Sequence, residues 1–317
     1  MICLCCGKPI KSPQKANNGW HHTCIKRFFG TKELPELNLS ADTIESIANE
    51  CTRRGFTVPG VQKKLSLHLS SEKNDKVRLT LVGYPAGYIL KPQTADYPAL
   101  PEAEYLVMQM AKATGIKTVP FALIRLAKTG EFAYITKRID RTAIGEKIAM
   151  EDFCQLDLRV TADKYKGSYE RCGKIVKEYA ENPGLDMTEL FLRIVFSFAV
   201  GNSDMHLKNF SLIETASGSG IYRLSEAYDM LPVNIILPAD KDQMALTLNG
   251  KNRNLRRGDF LALAENCGLN RKSAEKMLNG IVAMKDAYLA LCKDSFLPGD
   301  YQEALCNLID TRIRTLQ

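Results

Sequence analysis

The 317-residue sequence lacks the features of membrane or exported proteins. It has no run of 18 apolar residues, so a membrane-spanning helix is not predicted. Residues 1–6 have neither a charged start nor a long apolar stretch, and therefore do not resemble a signal peptide. No internal repeat or low-complexity tract is present. We therefore expect a cytoplasmic protein without membrane association, whose 45% hydrophobic residues can bury a core.

The sequence also lacks a Walker A phosphate loop. Residues 56–69 predict a turn leading into a strand, without the three glycines of ordinary protein-kinase loops. Within this turn, Gly60 permits close approach of backbone to a ligand. The N–H groups around Val61 and Gln62, with the two lysines that follow, could cradle a phosphate.

The most informative motif is an aspartate with an asparagine five positions later, in the run GNSDMHLKNF at 201–210. A further aspartate follows a predicted strand, at Asp229. Protein kinases use this spacing for a catalytic base and two magnesium ligands. Asp204 is therefore the candidate base, and Asn209 and Asp229 are candidate Mg²⁺ ligands, because hard oxygen atoms bind this ion. A turn with side-chain hydrogen bonds would produce the same spacing by chance.

Lys208 is a second candidate catalytic residue. It lies next to Asn209 and four residues from Asp204, so its charge could neutralise the transferring phosphoryl group. His206, within the same run, is better explained as a structural hydrogen-bonding residue than as a second base.

Upstream residues suit nucleotide binding. Residues 86–92 predict a short strand ending near Lys91, whose ammonium could reach phosphates. A helix follows from about residue 100 to 114, with proline and glutamates in its first turn and Gly115 as its stop. This helix could offer Glu104 to Lys91 as an ion pair, as in kinases. Complementarity between glutamates and the helix dipole would explain the same residues.

The N-terminal cysteines have metal-ligand spacing. Cys3 and Cys6, followed by His21 and Cys24, form Cys-x2-Cys-x14-His-x2-Cys, which suits tetrahedral Zn²⁺. Cys5 and His22 leave the ligand choice ambiguous. A reduced segment without metal is the alternative, and nucleic-acid contact through nearby lysines is another. The other cysteines are scattered through helical patterns and are expected to be reduced core residues.

These segments, in this order over residues 55–310, resemble the HipA family of bacterial serine/threonine kinase toxins. The matching runs are GVQKK at 60–64, ILKP at 89–92, EYLVM at 104–108, TKRIDR at 136–141, EDFCQ at 151–155, GNSDMHLKNF at 201–210 and YD at 228–229. The resemblance implies that Lys91 contacts ATP and that the backbone of Lys137 and Ile139 binds adenine. It implies the roles given above for Asp204, Asn209 and Asp229.

The sequence departs from the larger family members in two respects. Where family members often carry an autophosphorylated serine in the loop, the matching residue is Thr57, which is therefore the candidate autophosphorylation site. Only some 55 residues precede the loop, which is too few for the family's N-terminal subdomain. The chain therefore resembles short HipT-type kinases, which implies a HipB-like helix-turn-helix antitoxin and a small HipS-like protein as partners. DNA would be reached only through the antitoxin.

The expected fold is α+β and two-lobed, protein-kinase-like, with a mixed N-lobe, a mainly helical C-lobe and a small zinc-knuckle-like segment. The expected domains are a zinc knuckle at 1–30, an N-lobe with loop, ATP lysine and hinge at 31–140, and a C-lobe at 141–317. Helical spacing of apolar residues predicts helices at 151–157, 168–179, 187–200, 257–266, 271–291 and 301–315.

The expected function is transfer of the γ-phosphate of Mg-ATP to a serine or threonine of a cellular protein. By analogy with the family, an aminoacyl-tRNA synthetase is the expected substrate, and translation would stop as part of a toxin–antitoxin system. One alternative is a small-molecule kinase of similar fold. Another is an inactive nucleotide-binding scaffold in a DNA-bound complex.

Overall fold

The computed structural model describes residues 1–11, 16–37, 64–70, 78–80, 87–142 and 144–317. The loop residues predicted to contact nucleotide, Gly60, Val61 and Gln62, lie outside the described residues, as does Thr57. The chain forms two compact units, the first comprising Met1–Tyr105 with Val119–Glu146, and the second Leu106–Thr118 with Lys147–Gln317. The expected domain boundaries at residues 30 and 140 stay predictions.

The first unit is built on a five-stranded antiparallel sheet. In chain order the elements that begin in this unit are β1 (Ala16–Asn17), β2 (Trp20–His21), α1 (His22–Phe29), β3 (Leu65–Ser70), β4 (Arg78–Thr80), β5 (Tyr88–Pro92), α2 (Leu100–Ala113), β6 (Phe121–Arg125) and β7 (Phe132–Lys137). The sheet order is β4-β3-β5-β7-β6, while β1 and β2 form a separate hairpin. The central strand of the five-stranded sheet, β5, carries Lys91, as the sequence predicts.

The second unit combines helices with a small sheet. Its elements in chain order are β8 (Met150–Asp152), α3 (Phe153–Leu156), α4 (Tyr169–Tyr179), α5 (Pro183–Ala199), β9 (Ser211–Glu214), β10 (Tyr222–Leu224), α6 (Val233–Ile236), α7 (Arg257–Asn266), α8 (Arg271–Ala283), α9 (Lys285–Lys293) and α10 (Gly299–Leu316). The three strands form an antiparallel sheet in the order β10-β9-β8. Helix α5 is apolar on most sides and buried along its second half, which is typical of a core helix.

Two predicted helices differ from the structure. The helix expected at 151–157 begins at Phe153, because Met150–Asp152 pairs with β9 as a strand. Asp152 instead caps the helix, since its side chain accepts a hydrogen bond from the N–H of Gln155. The single helix expected at 271–291 is two helices separated at Met284. Among the described residues, no helix is long and apolar enough to cross a membrane.

Candidate active site

A buried ion pair joins β5 to α2 in the first unit. The Lys91 Nζ lies 2.5 Å from Glu104 Oε1, and the two side chains are 4% and 0% exposed. The strand register places Lys91 opposite Tyr134 of β7, and the ammonium lies 5.3 Å from the centre of that ring. A buried charge is costly unless it is paired. The predicted pair is therefore present, held between a central strand and the first turns of a helix.

The candidate catalytic loop is a tight turn followed by a short 3₁₀ helix, Leu207–Asn209. The backbone carbonyl of Asp204 accepts two hydrogen bonds, from the N–H of His206 at 2.8 Å and from Nδ2 of Asn209 at 2.8 Å. This links the candidate base to the candidate metal ligand. The Asp204 side chain is 43% exposed, so its carboxylate is accessible to a substrate hydroxyl.

Two aromatic residues surround the Asp204 carboxylate. Tyr165 donates a hydrogen bond of 2.6 Å to Asp204 Oδ1. Burial, together with this bond to a carboxylate, raises the pKa of Tyr165, so the phenol remains protonated and can donate. His206 packs edge-on against Tyr165, and burial lowers the pKa of its imidazole. A histidine that is neutral at pH 7 agrees with the structural role expected for it.

Asp229 follows β10 in a strained backbone conformation. Its φ of 58° lies in the left-handed region, which a residue other than glycine rarely adopts. The preceding residue, Tyr228, donates a hydrogen bond of 3.2 Å to the carbonyl of Lys208 and shares one of 2.5 Å with Ser211. Tyr228 thus ties the segment of Asp229 to the segment of Asn209. Such strain is often found where backbone geometry serves a site.

The Asn209 side chain is oriented in a way that suits a cation. Because its Nδ2 donates to the Asp204 carbonyl, its oxygen is the atom that remains to accept or coordinate. Asn209 lies just before the start of β9, and Asp229 lies after the end of β10, which is the antiparallel partner of β9. Both residues therefore lie at the same end of one hairpin. An amide oxygen and a carboxylate are the donor types that Mg²⁺ accepts.

Lys208 has an ion-pair partner in the second unit. Its Nζ donates to Asp152 Oδ2 at 2.6 Å, and the two side chains are 24% and 14% exposed. Asp152 is the same residue that caps α3, so the pair joins the catalytic loop to β8 and α3. For Lys208 to contact a phosphoryl group, its ammonium would have to leave or share this carboxylate.

The predicted hinge residues follow the end of β7. The N–H of Lys137 donates to the carbonyl of Pro120 at 2.9 Å, so that donor is used within the fold. Ile139 lies two residues beyond, outside the strand and partly exposed. The N–H of the intervening residue, Arg138, donates to Gly87 at 2.9 Å.

The N-terminal cysteines and one histidine converge. The side-chain donor atoms of Cys3, Cys6, His21 and Cys24 all lie within 4.8 Å of one another. The ambiguity between adjacent histidines is resolved by position, because His22 is exposed and lies outside this group. Cys5 is likewise outside the group of four.

Sequence reasoning missed Tyr165 and Tyr228. Tyr165 is 39 residues from Asp204 along the chain and belongs to no motif, so no local signal identifies it. Tyr228 stood in the matching run at 228–229, but its hydroxyl contacts depend on how β9 and β10 pair.

Residues 56–288 match the family described as the HipA-like C-terminal domain. The chain belongs to this family. It is 26% identical over 342 residues to a Haemophilus influenzae protein named "Putative kinase", covering 98% of this chain and 95% of that protein. It is 33% identical over 187 residues to "Putative kinase Y4dM" of Sinorhizobium fredii, which covers 56% of this chain and 44% of that protein. Both relatives are thus named as putative kinases.

Solved structures show the same fold. HipA from Shewanella oneidensis, in a complex with HipB and operator DNA, has a TM-score of 0.67 at 19% identity, covering 84% of this chain and 70% of that one. The proinflammatory kinase CtkA from Helicobacter pylori has a TM-score of 0.54 at 15% identity, covering 80% of this chain and 95% of that one. These likenesses establish a HipA-like kinase fold, as the sequence predicts.

Proposed function

We propose that this HipA-like protein transfers the γ-phosphate of ATP to a serine or threonine hydroxyl of a cellular protein. The observation that carries the proposal is the Asp204 carboxylate, which is accessible while its backbone is held by Asn209. A general base must reach the proton that it accepts, and its position must be fixed. Asp204 meets both conditions.

In this proposal the first unit binds the nucleotide. Lys91, fixed by Glu104, provides a point charge for phosphate oxygens. Lys137 and Ile139 bind adenine through the backbone. Because the N–H of Lys137 is already used, its carbonyl would accept from the adenine amino group and the Ile139 N–H would donate to the ring.

The second unit supplies the groups for phosphoryl transfer. Asp204 orients the attacking hydroxyl and accepts its proton, while Tyr165 holds one carboxylate oxygen and leaves the other for the substrate. Asn209 and Asp229 would hold Mg²⁺, which neutralises phosphate charge when bound. Lys208 fixes the loop through Asp152 and adds positive charge near the transferring group.

Exposed apolar side chains in residues 158–165, the segment that contacts the catalytic loop, support a protein substrate over a metabolite. Leu158 is 95% exposed, Val160 is 67% exposed, and Tyr165, which contacts Asp204, is 49% exposed. The carbonyl of Lys164 accepts from the N–H of Leu207, so this segment runs beside the catalytic loop. Exposed apolar groups around a site are typical of surfaces that bind protein chains.

The proposed partners are those that the resemblance to the family implies. The Shewanella oneidensis protein was solved with HipB and operator DNA. We propose a HipB-like helix-turn-helix antitoxin for this chain, a small HipS-like protein as a second partner, and DNA contact only through the antitoxin. Phosphorylation of an aminoacyl-tRNA synthetase would arrest translation in the cytoplasm.

The test is phosphotransfer in a lysate. Purified protein is incubated with ATP labelled at the γ-phosphate, and labelled proteins are identified by mass spectrometry, with Asp204→Asn as control. We expect a labelled protein at serine or threonine with the wild type only. Label in small molecules alone would identify a metabolite kinase, and no label under any condition would favour a scaffold.

A further inference from the structure

The four N-terminal donor atoms have the spacing of a tetrahedral metal site. Zinc bonds of about 2.3 Å to sulfur and about 2.0 Å to nitrogen place the ligand atoms of a tetrahedron roughly 3.5 to 3.8 Å apart. His21 Nδ1 lies 3.4 Å from Cys6 Sγ and 3.8 Å from Cys24 Sγ, and all four donor atoms are within 4.8 Å of one another. The three cysteines are free thiols, so no disulfide explains their approach.

A second contact orients His21 as a ligand. Its other ring nitrogen, Nε2, lies 3.2 Å from the carbonyl oxygen of Pro9. A carbonyl accepts only, so Nε2 carries the proton and Nδ1 presents its lone pair to the thiols. Histidine ligands of metals are usually fixed by such a hydrogen bond from the second nitrogen. The backbone N–H of His21 also points to Cys3 Sγ, at 3.4 Å.

The local sequence explains how the ligands meet. Gly7 follows Cys6 at a φ of 71°, and its N–H closes a turn onto the Cys3 carbonyl at 2.9 Å. Gly19, at a φ of 84°, forms the turn of the β1–β2 hairpin, where a Cβ atom would meet the Leu4 side chain at 3.1 Å. His21 ends that hairpin, and the first turn of α1 brings Cys24 to the same side.

We propose that Cys3, Cys6, His21 and Cys24 bind one Zn²⁺ in a closed structural site. Three thiolates and one imidazole complete a tetrahedron and leave no position for a substrate, which is typical of structural rather than catalytic zinc. The metal holds together a segment of some 30 residues that is too short to bury a core of its own.

Hydrogen bonds connect this segment to the helix and sheet of the first unit. The Cys3 carbonyl accepts from the hydroxyl of Tyr105, the neighbour of Glu104 on α2, at 3.4 Å. The Leu4 carbonyl accepts from the N–H of Leu123 on β6, at 2.9 Å.

Aromatic packing adds a third connection. Trp20 is fully buried and lies 5.5 Å from both Phe28 and Phe29, measured between ring centres. Phe29 in turn lies 5.3 Å from Tyr88, the first residue of β5. The zinc module therefore contacts the strand that carries Lys91 and the helix that carries Glu104. We infer that zinc stabilises these two elements.

Elemental analysis of the full-length protein, purified under reducing conditions, tests the site directly. We expect about one zinc per chain and no iron. His21→Ala should lose zinc, whereas His22→Ala at the adjacent exposed position should keep it. His21→Cys should retain the metal, because four thiolates also form a structural zinc site. Metal-free wild type, zinc loss in both alanine variants, or a disulfide among these cysteines would overturn the assignment.

Thermal unfolding tests the inference that zinc stabilises the strand carrying Lys91 and the helix carrying Glu104. Zinc removal with a thiol-directed mercurial and chelator should lower the melting temperature by at least about 5 °C, and zinc addition after thiol should restore it. A further readout, nucleotide affinity, rests on the proposed function. It should weaken on zinc removal and in His21→Ala, but not in His22→Ala. If zinc content and melting follow the expectation while no form binds nucleotide, the proposed function fails and the zinc site stands. An unchanged melting temperature after zinc removal would overturn the inference that zinc stabilises these two elements.

Discussion

The N-terminal cysteine cluster and the candidate catalytic loop differ in how complete their ligand sets are. The cluster offers four side-chain donors within 4.8 Å of one another, with Cys3 and Cys24 buried. The candidate Mg²⁺ ligands are one amide in the loop, at Asn209, and one carboxylate after β10, at Asp229, while the carboxylate of Asp204 is accessible. A zinc site of the first kind needs nothing else, whereas Mg²⁺ bound by two ligands also requires water and phosphate oxygens.

The two ligand sets therefore predict different roles for the bound ion in the two units. A complete site is formed by folding, and its metal contributes to stability. An incomplete site is formed only when the nucleotide arrives, so its residues affect binding and chemistry more than folding. Substitutions in the loop should therefore separate activity from stability, while substitutions in the cluster should not.

The largest effect is expected from Asp204→Asn. The amide keeps the shape but cannot accept the proton, so phosphotransfer should fall by at least about 10³-fold, within the range for a lost general base. Affinity for Mg-ATP and the melting temperature should change little. Rate measurements, calorimetric titration and thermal unfolding check this, with Asp294→Asn at the exposed position after α9 as control. Activity within about tenfold of wild type would remove Asp204 from its role.

Glu104→Gln should have the next largest effect, this time on folding. It removes the carboxylate that pairs with buried Lys91, and breaking such a pair costs about 3 kcal/mol. The matched variant, Asp152→Asn, breaks the more exposed pair with Lys208 and should cost about 1 kcal/mol or less. Denaturant titration of both variants gives the free energies of unfolding. Equal losses of unfolding free energy in the two variants would show that the more deeply buried ion pair does not contribute more to stability.

A smaller effect is expected from Asp229→Asn. Asparagine tolerates the left-handed backbone at this position, so the fold should persist while the metal loses its carboxylate. Affinity for Mg-ATP should weaken about tenfold, or about 1.4 kcal/mol. Affinity for ATP measured without Mg²⁺ should not change, which serves as the control. A variant with unchanged Mg-ATP affinity would move the metal site elsewhere.

The smallest effect concerns His206 and pH. Burial lowers its pKa below the ordinary 6.5, so the unfolded chain binds a proton more readily than the folded one. The stability that the neutral imidazole contributes is present above pH 6.5 and is lost as the pH falls below it. We expect His206→Gln to flatten the decline of unfolding free energy between pH 6.5 and 5 by less than about 1 kcal/mol. If the unfolding free energies of variant and wild type declined in parallel between pH 6.5 and 5, His206 would not contribute to this pH dependence.

Local signals in the sequence were sufficient for much of the fold and part of the site. The strand carrying Lys91 and the helix carrying Glu104 were predicted because a short strand-like run, a proline near the helix start and a glycine stop are signals that act within a few residues. Convergence of the four zinc-type ligands likewise followed from their spacing. The roles of Asp204, Asn209 and Asp229 stay predictions.

Other features depend on tertiary contacts and could not be predicted locally. The break at Met284 interrupts a region with continuous helical spacing of apolar residues. Strand pairing at residues 150–152 replaced helix because β9 provided a partner. The bond from Tyr165 to Asp204, and the packing of Trp20 towards the sheet through Phe28 and Phe29, join residues with no shared motif.

The left-handed backbone at Asp229 also constrains how the gene can change. Apart from aspartate, asparagine and glycine best tolerate this conformation, and one nucleotide change converts an aspartate codon to either. Both replacements remove the carboxylate while keeping the chain folded. If expression of this protein slows growth, selection for escape should favour these two replacements, and the survivors should still accumulate full-length, folded protein.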